Sequence, residues 1–76
     1  QMPLTLALSS KDYDKIQLFE KILEDLDFVS NFMVLSFNNT DIFYKVIYNG
    51  SPDKFFSEIE TMGLKLEKNN QIWKIK

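Results

Sequence analysis

Leu4-Thr5-Leu6-Ala7-Leu8 sets a large apolar side chain at every second position, the period of a half-buried strand. Then the period changes. Tyr13, Ile16, Phe19, Leu23 and Leu26 recur at steps of three and four, and Leu18 and Ile22 widen the stripe. Asp14, Lys15, Glu20, Lys21, Glu24 and Asp25 occupy the other side, so the segment reads as an amphipathic helix. Ser9 and Ser10 offer its N-caps, and Asp12, three residues after Ser9, completes a capping box.

Asn31 to Phe37 and Ile42 to Tyr48 are rich in aromatic and aliphatic residues and flank the turn-forming run Asn38-Asn39-Thr40-Asp41. They predict an antiparallel hairpin that ends at Asn49-Gly50. Ser51 and Pro52 suit the N-cap and first position of a second helix. Phe55, Phe56, Ile59 and Met62 form its apolar stripe, and Gly63 sits where a left-handed cap belongs. Leu64 to Lys76 reads as a strand pair turning at Asn69-Asn70, with Ile72 to Ile75 its stronger half.

The order is β-α-β-β-α-β with a small extra strand before the last, the split-βαβ, ferredoxin-like arrangement. It predicts an α+β sandwich: a four-stranded antiparallel sheet with both helices on one face. Leu4, Leu6, Leu8, Ile16, Phe19, Leu23, Leu26, Leu35, Val46, Ile59 and Trp73 lie on the apolar side of their elements and form the expected core. Parity then assigns the opposite sheet face. Thr5 and Ala7 turn outward; Lys45 takes Phe43 and Ile47 with it, Ser36 takes Phe32 and Val34, and Lys74 takes Ile72. Phe32, Val34, Phe43, Lys45, Ile47, Ile72 and Lys74 are therefore the candidate partner-binding residues. An apolar patch of this size calls for a cover, either a protein partner, a neighbouring domain or a second copy.

Seventy-six residues make one domain, residues 1–76, and the start at Gln1 reads as a fragment of a longer protein. The hydrophobic share of 45% supplies a rich core, which matters because the chain has no Cys or His to add a disulfide or a soft metal site. No segment is long and apolar enough for a membrane helix. A net charge of −2 argues against a nucleic-acid partner. All nine basic residues are Lys, so the bidentate grip of Arg on phosphate or carboxylate is missing.

Known chemistries of this arrangement fail on the same residues. Ser9-Ser10-Lys11 follows the first strand where metallochaperones carry Cys-x-x-Cys, and iron–sulfur ferredoxins need cysteines. Acylphosphatases need an Arg. The third strand lacks the Gly of an RNA-recognition motif, and the first turn lacks the Gly of regulatory amino-acid-binding domains. Ser51-Pro52-Asp53-Lys54 fits the Ser-x-x-Lys of penicillin-recognising enzymes, but those need two further motifs, and Ser-Pro at a helix start is ordinary capping. Asp12, Asp14, Glu20, Glu24, Asp25 and Asp27 make the first helix acidic, yet a helix cannot converge oxygens on a cation as a loop does. Asn49-Gly50-Ser51 is formally a glycosylation sequon, but Pro52 follows it and Asn-Gly already serves as a turn. None of the carboxylates sits at an apolar position, and no cofactor, metal site or catalytic residue is expected.

Tyr13 to Leu26, Val29 to Phe37, Phe43 to Gly50, Phe55 to Leu66 and Trp73-Lys74-Ile75, with the dipeptides Gly50-Ser51 and Leu66-Glu67, resemble the small C-terminal module of an uncharacterised bacterial envelope-protein family. The resemblance implies a bacterial accessory domain, in the periplasm or cell envelope in preference to the cytoplasm, and carries no site residues. The residues themselves point to a non-catalytic interaction or assembly module that works through its open sheet face. The alternative is a regulatory domain that senses a small molecule.

Overall fold

The computed structural model describes residues 2–69 and 72–76. Strand β1 (Met2–Ser9) leads into helix α1 (Tyr13–Asp25), and strands β2 (Val29–Phe37) and β3 (Asp41–Tyr48) follow as a hairpin. Helix α2 (Pro52–Thr61), strand β4 (Leu66–Asn69) and strand β5 (Ile72–Ile75) come next. The fold is α+β, with a sheet in the order β2-β3-β1-β5-β4.

This corrects the expected four-stranded antiparallel sheet, and the ferredoxin-like order is not matched. The sheet has five strands and is mixed, because β5 lies parallel to β1 while the other pairings are antiparallel. The cause is the extra hairpin. One more reversal after α2 turns the last strand around and pushes β4 to the outer edge. Asn69 ends β4, and the Asn70 half of the predicted Asn69-Asn70 turn lies outside the described residues.

Local signals set most element ends. Ser51 caps α2, its Oγ accepting from the Lys54 N–H at 3.2 Å, and Pro52 takes the first helical position. Gly63 closes α2 at φ +101°, a conformation that penalises a Cβ. The cap of α1 differs from expectation. Strand β1 runs through Ser9, so the helix starts later and Asp12 caps it, accepting from the Lys15 N–H at 3.1 Å. Between β2 and β3, Asn38 Oδ1 accepts from the Thr40 and Asp41 N–H groups and the Thr40 hydroxyl.

Leu4, Leu6 and Leu8 from β1 meet Tyr44, Val46 and Tyr48 from β3 on the helix-covered face, with Phe19, Ile22 and Leu23 from α1, Leu26 at its C-cap, and Phe55 and Ile59 from α2 above them. Phe19 packs edge-on to Tyr44 at 5.2 Å and Phe55 edge-on to Tyr48 at 5.0 Å. Ile16 and Trp73 are only half-buried at the margin of this core, where the Trp73 ring lies 3.6 Å from that of Phe56. Leu35, expected in the core, is half-exposed on β2.

Candidate interaction surface

Residues opposite one another in an antiparallel pair share a face, so the register of β2, β3 and β1 sorts their side chains. On the open face Ser36, Phe43 and Ala7 form one row, Met33, Lys45 and Thr5 the next, and Asn31, Ile47 and Pro3 a third. Phe43, Lys45, Ile47, Ile72 and Lys74 thus take the predicted face, Lys74 beside Ala7 and Ile72 two residues along the same strand. Phe32 and Val34 do not. They pair with Val46 and Tyr44 on the helix-covered face.

The reason is local. Strand β2 is irregular between Val29 and Asn31 and again between Val34 and Ser36. Each bulge inserts an unpaired residue and exchanges the parity beyond it, so Ser36 says nothing about Val34. Leu35 falls in the second bulge, which is why it misses the core.

The open face is less apolar than expected. Ala7 is only 3% exposed between Phe43 and Lys74, and Phe43 and Ile47 are half-buried. Lys45 interrupts the row between Phe43 and Ile47, Lys74 reaches Asp41 at 3.9 Å, and Glu67 pairs with Lys76. That ion pair draws the Glu67 carboxyl below its ordinary range. The face is a mosaic of apolar and charged groups.

The exposed apolar surface gathers instead on β2, a feature that sequence reasoning missed. Met33 is 50% exposed, Val34 46%, Leu35 50% and Phe37 76%. Strand β2 occupies an edge of the sheet, so among the described residues one side of its backbone has no neighbouring strand. Over nine residues it contains no charged residue, Pro or Gly, the devices that protect most edges. The opposite edge, β4, is four residues long and includes Glu67 and Lys68. A signal existed in the sequence: Met33-Val34-Leu35 breaks the alternation of a one-face strand.

Other features are structural. Tyr44 and Tyr48 donate from the buried sheet face to Glu20 on α1 and Glu58 on α2. Burial, then the neighbouring carboxylate, pushes both phenols well above their ordinary value. The cleft at Ser9, Lys11, Asp12, Tyr13 and Asp14 opens at the start of α1. A second lies between β2 and the end of α1, lined by Leu23, Glu24 and Val29 to Phe32. Among the described residues no three acidic or metal-binding side chains come close enough to hold a cation, and no helix is long and apolar enough to cross a membrane. Comparison with protein-family models, curated proteins and solved structures finds no match to this chain.

Proposed function

We propose that this chain is a non-catalytic interaction module whose docking element is the β2 edge together with the adjoining rim of the open sheet face. The observation that carries the reading is the exposure of Met33, Val34, Leu35 and Phe37 on an uncharged edge strand. Unpaired backbone N–H and C=O groups supply the bonding pattern of one more strand, and the flanking side chains supply the apolar contact. Lys45 and Ile47 border this edge on the open face, so they contribute to its rim, whereas Ile72 and Lys74 lie on the far side of β1.

A photo-reactive phenylalanine analogue at Phe37, in the protein expressed in cells, tests the reading. Irradiation is expected to give protein adducts from this position and none from the same analogue at Lys21, exposed on α1. Absence of adducts at Phe37, or equal yields at both positions, counts against it.

A further inference from the structure

We propose that the β4–β5 hairpin is a detachable strap: it releases from β1 as one unit while the rest of the fold stays closed, and its release turns β1 into an edge strand. The inference is independent of the β2 edge and stands on how unevenly the hairpin is bonded to itself and to the body. Within the hairpin the ties are dense. Antiparallel pairs join Leu66 to Ile75, Glu67 to Lys74, Lys68 to Trp73 and Asn69 to Ile72. The Lys76 N–H continues the ladder, donating to the Lys65 carbonyl at 2.9 Å. Glu67 pairs with Lys76, and the Lys68 ammonium lies 5.3 Å from the centre of the Trp73 ring. All of these bonds lie inside the segment and travel with it.

Toward the body the ties are sparse. Among the described residues β5 meets β1 only at Leu6–Trp73 and Ala7–Lys74, whereas β3 pairs with β1 along its full length, from Met2–Tyr48 to Ser9–Asp41. The β5 pairs are also parallel, and parallel pairs hold slightly less per residue than antiparallel ones. Of the hairpin's described side chains Ile75 alone is deeply buried; Leu66 and Trp73 are half-buried, the Trp73 ring resting on Phe56 at the margin of the core. The remaining tie, Lys74 to Asp41 at 3.9 Å, is an ion pair on the solvent-facing side of the sheet, where such pairs hold weakly. Local opening draws on segments with few buried apolar contacts, and this hairpin is one. The body keeps its own core without it: Leu4, Leu6 and Leu8 stay under both helices, and Leu64, buried just before the hairpin, stays anchored there. Release bares the second side of the β1 backbone at Leu6 and Ala7 and the ring face of Phe56.

Trp73 is the chain's single tryptophan and lies on β5, whereas the helical circular dichroism comes from α1 and α2, so the two signals read hairpin and body separately. In a urea titration of the purified chain, Trp73 fluorescence is expected to change at a midpoint about 0.5 M or more below the loss of the helical signal. Ile75→Ala removes the hairpin's deepest anchor. It is expected to lower the fluorescence midpoint further and to leave the helical midpoint where it was, because the hairpin has already left when the helices melt. Native-state hydrogen exchange gives a second readout: amides of β4 and β5 are expected to exchange at least about tenfold faster than the slowest amides of β1 and β3. Three results would each overturn the proposal. They are wild-type fluorescence and helical curves that superimpose, an Ile75→Ala variant whose two midpoints fall together, and β5 amides as protected as those of β3.

Discussion

Tyr44 and Tyr48 show how much one polar atom contributes inside this core. Both rings are fully buried, and each hydroxyl reaches a carboxylate on a different helix, so β3 is tied to α1 and to α2 by separate bonds. Tyr44→Phe and Tyr48→Phe are each expected to cost about 1–2 kcal/mol, read as a lower urea midpoint with unchanged slope. The same bonds set an alkaline limit. The folded state holds these phenolic protons to a higher pH than the unfolded chain does. Their contribution is therefore complete below the ordinary phenol value of about 10 and is lost as pH rises through the raised folded values. Stability measured from about pH 9 to about pH 12 is expected to fall more steeply in the wild type than in the Tyr44→Phe/Tyr48→Phe double variant.

Elements respond to their neighbours as well as to their own residues. Asn49-Gly50 reads as turn chemistry, yet Gly50 is required for a different reason. A Cβ there would lie 2.7 Å from Tyr48 Cε2 and 3.4 Å from the Phe28 ring. The Tyr48 ring cannot retreat, since Phe55 packs on it and Glu58 holds its hydroxyl. Gly50→Ala is expected to destabilise the fold by about 1–3 kcal/mol, measured by thermal or urea melting. A small effect would mean that the end of β3 shifts freely. Strand β2 teaches the same lesson. Its apolar content is plain in the sequence, but its place at the edge follows from the order in which the other strands pair.

At the scale of the molecule, the described residues fold to a Cα radius of gyration of 11.3 Å around one core. Leu6 sits at the centre of that core, with Tyr44 opposite on β3 and Trp73 opposite on β5. Leu6→Ala is expected to cost about 2–5 kcal/mol. For a domain of this size each kcal/mol lowers the midpoint by roughly 4–8 °C, so calorimetry reads the loss directly. A variant that melts like the wild type would mean that the cavity closes by repacking.

Elements and caps close in sequence were legible from the chain alone. Periods of two and 3.6 marked β1, both helices and β5, and Ser51, Pro52 and Gly63 marked the bounds of α2, because each signal acts over a few residues. The burial of Leu4, Leu6 and Leu8 and the outward turn of Phe43, Lys45, Ile47, Ile72 and Lys74 followed from the same periods. Long-range pairing settled the rest. The parallel β1–β5 contact depends on a hairpin that adds one reversal, and the inward turn of Phe32 and Val34 depends on bulges formed against β3. An extra residue in one strand is defined only by the strand beside it, so no period along the chain records it.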